Sequence, residues 1–203
     1  MTTQAADHSW PALAGWFGKI PALGDFVARR LPTQFIDAWD HWLSTEIVAT
    51  RAALGSDWAP SYLKAPTWRF ALTPGVLDAS PWYGVLTPSV DRVGRHFPLT
   101  LAGAGAACET DGWWAALLAA ATRAREADCD ADALDAALVS ALEQEQRRAV
   151  RPDQERALTS VLEGAVNGDS LWARWQPESR RFGPVTTFRG LPQGPDFLKL
   201  IVP

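Results

Sequence analysis

The chain has 203 residues, of which 47% are hydrophobic and 21% are charged, a composition typical of a globular protein with a sizeable core. Its net charge of -4 gives no electrostatic reason to bind nucleic acid or an anionic membrane surface, so we expect neither partner. The N-terminus lacks the basic and apolar regions of a signal peptide, and no apolar run is long enough to span a bilayer. We therefore expect a cytoplasmic protein without membrane insertion.

The first predicted elements are two strands joined by a turn, in the stretch "GWFGKIPALGDFVARRLP" (residues 15–32). Three glycines and two prolines argue against a helix here, because glycine costs about 1 kcal/mol and proline about 3 kcal/mol in a helix interior. A helix over about 34–54 is predicted next, with Thr33 as its cap. Its apolar positions recur at helical spacing at Phe35, Ile36, Trp39, Trp42, Leu43 and Ile47.

The middle of the chain is predicted to continue the sheet. Gly55, Pro60 and Pro66 indicate an irregular connection, followed by a strand in "WRFALTPG". The segments "WYGVLTPSVDRVG" and "RHFPLTLAGA" then form an antiparallel pair around a loop at 91–95.

From residue 111 onward, alanine, leucine and glutamate at helical spacing predict three helices. Asp130 caps the second helix, and the third begins near Pro152 and ends at Gly164. Two late strands, "DSLWARW" and "GPVTTFRG", can rejoin the sheet before a short amphipathic turn closes the chain. The prediction is an α/β (α+β) fold: a mostly antiparallel sheet with helices packed on its faces. It forms a single domain over 1–203, with a helical segment at about 111–164 inserted between strands.

Two polar residues of the first turn are candidates for a site. Lys19 follows Gly18, but the remaining residues of a phosphate-binding loop are missing, so we expect a solvated turn lysine. Asp25 follows Gly24, where a carboxylate accepts backbone N–H bonds; a role as general acid or base would need a second converging group. No spaced set of metal ligands is present, and we expect no metal, nucleotide or other cofactor.

The densest polar cluster is "PSVDRVGRHFPL" (residues 88–99). A serine, an aspartate and a histidine together invite comparison with nucleophilic catalysis, but no GxSxG elbow surrounds the serine, and neighbours on a hairpin seldom face one another. In the alternative interpretation, Asp91 bonds its own backbone, and Arg92 and Arg95 face a partner or pair with acids elsewhere.

Two hypotheses about function remain open from the residues alone. The first is a protein-binding module, for which the candidate contacts are Lys19, Asp25, Asp91, Arg92 and Arg95. The second is a small hydrolase or phosphotransfer enzyme that uses Asp25, Asp91 and His96. The enzyme requires these three side chains to converge in one pocket, whereas the binding module does not.

Five segments together resemble the TagF (ImpM) family, which is associated with bacterial type VI secretion. They are "GWFGKIPALGDFVARRLPTQFIDAWDHWL", "YLKAPTWRFAL", "YGVLTPSVDRVGRHFPLTL", "SLWARW" and "GLPQGPDFLKL". Their order and spacing match over nearly the whole chain, and the most specific pieces are "GKIPALGDFV" and "PSVDRVGRHFP". The alanine-rich middle resembles the family only in its general helical composition, without a matching motif.

The resemblance implies a non-enzymatic cytoplasmic accessory protein of the secretion system. It implies a post-translational repressor that binds a forkhead-associated scaffold protein of the same system, and a sandwich fold similar to longin-type domains. It brings no catalytic residues, so it favours the protein-binding hypothesis. Some relatives carry a fused serine/threonine phosphatase, but the chain ends soon after "GLPQGPDFLKL", and we expect no phosphatase here.

Overall fold

A seven-stranded sheet forms the centre of the computed structural model, which describes residues 13–105, 111–148 and 164–202. The strand order is β2-β1-β5-β4-β3-β6-β7, and every neighbouring pair is antiparallel. The strands are β1 Gly15–Gly18, β2 Val27–Arg29, β3 Trp68–Leu72, β4 Trp82–Thr87, β5 Leu99–Ala104, β6 Asp169–Gln176 and β7 Arg181–Arg189. The predicted fold class is confirmed, and the two late strands rejoin the sheet through the pairing of β6 with β3.

Five α-helices and a short 3₁₀ helix at Gly55–Asp57 accompany the sheet in the described part of the chain. The α-helices are α1 Thr33–Leu54, α2 Trp58–Lys64, α3 Asp111–Arg123, α4 Ala131–Arg148 and α5 Pro195–Ile201. The helices α3 and α4 occupy the first part of the segment predicted at 111–164. The predicted third helix, beginning near Pro152, lies outside the described residues.

The boundaries of the helices correct two predictions. Thr33 does not cap α1, because it is already the first helical residue and no side chain caps this helix. The connection after α1 is helical rather than irregular: α2 contains Pro60 in its first turn, where a missing N–H removes no intrahelical bond. Asp130 caps α4 as predicted, since its Oδ1 accepts the N–H groups of Asp132 and Ala133 at 3.1 and 2.9 Å.

Helices cover both faces of the sheet. Successive side chains of a strand point to opposite faces, so that Trp16 packs with the core beneath α3 and α4, whereas Phe17 packs with the core beneath α1, α2 and α5. The whole of β4 is buried, as expected of a strand covered on both sides. The result is a three-layer arrangement of helices, sheet and helices.

Trp39 lies at the centre of the aromatic core beneath α1. Its side chain is fully buried, with ring centroids 5.4 Å from Phe35, 5.0 Å from Phe70 and 6.4 Å from Trp172. Its indole N–H donates a 2.8 Å hydrogen bond to Oγ1 of Thr100 on β5. The apolar face predicted for this helix therefore packs on the sheet.

Asp135 on α4 ties the β1–β2 edge of the sheet to the helical layer. Its carboxylate accepts hydrogen bonds from the Trp16 indole and from Arg29 Nη1, both at 2.7 Å, and from both terminal nitrogens of Arg30 at 2.9 and 2.7 Å. These hydrogen bonds hold the pKa of Asp135 well below its usual range, and the bonds from Arg30 have the largest effect. Arg29 at the end of β2 and Arg30 directly after it are thus part of the scaffold.

Within the described ranges, no helix combines the length and the apolar character that a membrane span requires. No group of three or more histidine, cysteine or acidic side chains in those ranges is placed to hold a metal ion.

Replacing Trp39 by alanine should lower the free energy of unfolding by about 3–5 kcal/mol, because it opens a cavity in the aromatic core. Val48→Ala is the matched control, since Val48 lies on the same helix and is 67% exposed. That control should change stability by less than about 0.5 kcal/mol. Urea unfolding measures both, and equal effects would contradict the packing of this face.

Asp135→Asn should destabilise the protein at pH 7, by an amount that shrinks as the pH falls from about 6 to about 3. A carboxylate whose pKa is depressed by folding stabilises the protein above its unfolded pKa of about 3.9. That contribution is lost as the pH falls further toward the folded pKa. The urea midpoint of both proteins, measured across this range, tests the prediction, and a constant difference would contradict it.

Candidate functional site

Two loops meet at one end of the sheet: the β1–β2 loop (residues 19–26) and the β4–β5 loop (residues 88–98). Lys19 Nζ of the first loop donates to Asp91 Oδ2 of the second at 2.9 Å, and the two side chains are 7% and 0% exposed. The backbone N–H of Arg92 donates to the carbonyl of Leu23 at 2.8 Å, and the guanidinium of Arg95 donates to the carbonyl of Gly24. These contacts join the two loops into one unit.

Lys19 is buried because β1 passes very close to the β4–β5 loop. Gly18 adopts a φ of +137°, and a Cβ there would lie 2.1 Å from the carbonyl oxygen of Pro98. The prediction that Lys19 is a solvated turn residue is therefore wrong. Its ammonium group pairs with Asp91 and lies 5.0 Å from the ring centroid of Phe26.

Asp91 is the centre of the hydrogen-bond network in the β4–β5 loop. Its Oδ1 accepts the backbone N–H groups of Val93 and Arg95 at 3.1 and 2.9 Å, as predicted for a turn aspartate. Its Oδ2 accepts Lys19 Nζ and, at 2.6 Å, Arg95 Nε. Burial acts to raise the pKa of Asp91, but the hydrogen bonds from Lys19 and Arg95 outweigh burial and hold it well below the usual range. The carboxylate therefore stays ionised and fixes the loop.

His96 and α2 support the same loop from the side. The His96 ring lies edge-on to the rings of Trp58 and Tyr62, with centroids 5.3 Å away in each case. Tyr62 Oη donates to the Ser89 carbonyl at 2.9 Å and accepts the Ser89 N–H at 3.0 Å. Burial and the nearby charge of Arg51 lower the pKa of His96, so its imidazole is neutral near pH 7. Sequence reasoning missed Trp58 and Tyr62 because it did not predict α2.

The structure does not join the three groups of the enzymatic hypothesis by hydrogen bonds. Asp25 is exposed, and its Oδ1 accepts the N–H of Phe26 at 2.8 Å. Among the residues that the structure describes, no hydrogen bond joins Asp25, Asp91 and His96. The Ser89 hydroxyl is buried and makes no hydrogen bond with any residue that the structure describes.

The exposed side chains of the joined loops form what we call the loop-tip surface, defined by Asp25, Phe26, Arg92, Val93 and Arg95. Val93 is 70% exposed and Phe26 is 44% exposed, although the Phe26 ring also packs on Phe17 and Phe97. Arg92 is exposed and makes no side-chain hydrogen bond or ion pair with any described residue. Arg95 is also exposed, but its guanidinium bonds within the loops.

Of the five predicted contact residues, Asp25, Arg92 and Arg95 lie on this surface, while Lys19 and Asp91 lie beneath it. A direct contact of Lys19 or Asp91 with a partner stays a prediction, and the burial of both side chains disfavours it. The structure gives these two residues a different role, which is to fix the shape of the loop-tip surface.

Lys19→Met should lower the free energy of unfolding by about 3 kcal/mol, because it leaves a buried carboxylate without one of its two cations. Asp91→Ala should lower the urea midpoint further, since it leaves the Lys19 ammonium and two backbone N–H groups without their acceptor. Asp25→Ala removes an exposed carboxylate from the neighbouring turn and serves as the control. A midpoint for Asp91→Ala as high as that of Asp25→Ala would contradict the proposed network.

Comparison with known proteins extends the resemblance seen in the sequence. The family described as "TagF N-terminal domain, Type VI secretion system-associated" matches residues 15–141, which include both loops. The crystal structure of PA0076 from Pseudomonas aeruginosa PAO1 is similar with a TM-score of 0.73 and 29% sequence identity, covering 93% of this chain and 94% of that one. No curated protein matches at a significant level. Because the family match spans more than half of the residues, the chain belongs to the TagF family of type VI secretion system-associated proteins.

Proposed function

We propose that this protein is a non-enzymatic, cytoplasmic repressor that acts after translation by binding a forkhead-associated scaffold protein of its type VI secretion system. Membership of the TagF family makes it an accessory protein of such a system. The repressor role and the scaffold partner, which the resemblance implies, are the proposal. The observation that carries it is the loop-tip surface, held in shape by the buried pair of Lys19 and Asp91.

A surface of this kind is suited to binding because its shape is fixed before the partner arrives. The Lys19–Asp91 pair and the Arg95–Gly24 contact connect residues 72 and 71 positions apart in the chain. Loops fixed in this way lose little conformational freedom on association, which removes part of the entropic cost of binding. Recognition residues commonly lie on loops that a rigid scaffold positions.

The chemistry of the loop-tip surface also matches that of protein interfaces, in which aromatic residues and arginine are enriched. Phe26 and Val93 supply exposed apolar area on the same surface as the exposed Arg92. A planar guanidinium binds carboxylates in a bidentate manner or stacks on aromatic faces. A partner that complements this surface presents an acidic or aromatic group beside an apolar contact.

The enzymatic alternative draws no support from the described residues. The Asp25 carboxylate faces solvent, and the Asp91 carboxylate is occupied by Lys19, Arg95 and the loop backbone. A general acid and base pair needs both groups within reach of one substrate.

Arg92→Glu and Val93→Asp, each made alone, should weaken binding of the purified scaffold protein by at least about tenfold, while folding stays intact. Both side chains are exposed and support no other residue. Arg147→Glu on α4 is the charge-matched control, because Arg147 is exposed and its one ion pair with a described residue is a 3.5 Å surface contact with Glu143. Arg95 is left unchanged, since it also bonds Asp91.

Isothermal titration calorimetry measures the binding, and secretion by cells that carry each variant in place of the native protein measures repression. The proposal expects the two loop variants to lose binding and to release secretion, whereas Arg147→Glu does neither. Unchanged binding by folded Arg92→Glu and Val93→Asp would remove the loop-tip surface from the interface. Absence of any binding by the native protein would overturn the proposed partner.

A further inference from the structure

A second feature at the same end of the sheet is a cleft of about 720 Å³. Its walls come from the end of α2 and the connection to β3, from the end of α3 and the turn after it, and from the β6–β7 turn. None of its lining residues belongs to the loop-tip surface. The cleft therefore needs an explanation of its own.

Three cations from three different elements converge on this cleft: Lys64 of α2, Arg125 after α3 and Arg174 of β6. All three are exposed, and none forms a side-chain ion pair with an acid of the described residues. Glu178 is the one acidic side chain among the described residues that line the cleft. Among the described lining residues the positive charge thus exceeds the negative charge, in a chain whose net charge is -4.

The backbone that carries these cations is held by hydrogen bonds. The N–H of Trp175, next to Arg174, donates to the carbonyl of Thr67 at 2.8 Å and joins β6 to the connection after α2. The N–H of Arg125 donates to the carbonyl of Thr122 at 3.2 Å in the turn that ends α3. The fold therefore sets the backbone positions from which Arg125 and Arg174 extend.

We propose that this cleft binds an acidic segment of a protein partner, one that carries carboxylate or phosphate groups. An exposed ion pair contributes less than about 1 kcal/mol in water, so a single small anion gains little from such a site. A segment with several negative charges meets Lys64, Arg125 and Arg174 together, and each further contact is made within the complex already formed. Trp175 also lines the cleft and offers an additional contact along it.

The net charge of the chain distinguishes this ligand from a nucleic acid. A strand of nucleic acid presents continuous negative charge, which an acidic protein repels over distances longer than the cleft. A short acidic segment needs only the local positive potential. The proposal does not rest on the loop-tip surface, with which the cleft shares no residue.

The experiment titrates the purified protein with fluorescein-labelled peptides at low salt. One peptide alternates glutamate with serine, a second replaces glutamate by phosphothreonine, and a third replaces it by glutamine. The double variant Arg125→Glu with Arg174→Glu leaves Lys64 as the one cation among the described lining residues and makes the net charge of that lining negative. The double variant Arg147→Glu with Lys199→Glu is the control, because it changes the net charge by the same amount at exposed positions of α4 and α5 that belong neither to the cleft nor to the loop-tip surface.

We expect one or both acidic peptides to bind the native protein with an affinity that falls as salt is added, while the glutamine peptide does not bind. The cleft variant should lose at least about tenfold in affinity and the control less than about threefold. Tighter binding of the glutamate or the phosphothreonine peptide identifies the source of the negative charge. The milder pair Arg125→Gln with Arg174→Gln should also lose binding, and it replaces the glutamate variant if that protein does not fold.

The proposal would be overturned by no binding of either acidic peptide, by equal loss of affinity in the cleft variant and its control, or by tighter binding of oligothymidylate, titrated in parallel, than of both acidic peptides. Binding that is retained in the folded glutamine variant would do so as well. Loss of scaffold binding by Arg92→Glu has no bearing on these results, so failure of the proposed function and failure of this inference are distinguishable.

Discussion

The burial of both faces of one antiparallel sheet is the constraint on which the rest of this structure depends. A strand such as β4, whose six residues are all buried, must find apolar cover on each side. The chain supplies that cover with α1, α2 and α5 on one face and with α3 and α4 on the other. Large aromatic side chains fill much of the space between the layers, and eight of the ten tryptophans that the structure describes are buried there.

Because helices occupy both faces, the ends of the sheet are where loops present polar groups to solvent. At the end that carries the candidate site, an ion pair is buried beneath the exposed tips. Desolvation of both charges offsets much of their attraction, so such a pair is weak as a source of stability. Its better-supported effect here is orientation, since Asp91 uses both oxygens to fix the backbone and the two cations around it.

The distribution of charge gives the same end of the molecule its character. The chain is acidic overall, yet Arg92 on the loop tip and three cations in the cleft lack acidic partners within the described residues. By contrast, Arg29 and Arg30 at the β1–β2 edge are neutralised by Asp132 and Asp135 on α4. An arginine in this chain can therefore belong either to the scaffold or to an exposed surface, and among these residues the presence of an acidic partner distinguishes the two roles.

The sequence by itself determined what depends on neighbouring residues: the helical face with Trp39, the Asp130 cap, the strands and the Asp91 turn. It also carried the family resemblance, through segments around both loops. Only the tertiary structure decided that Lys19 is buried on Asp91, 72 positions away, and that Arg30 pairs with Asp135, 105 positions away. The reason is physical: periodicity and capping act over a few residues, whereas these contacts depend on the strand order, which places β1 beside β5 and α4 over that edge. The cleft cations, which come from three separated elements, were beyond local reasoning for the same reason.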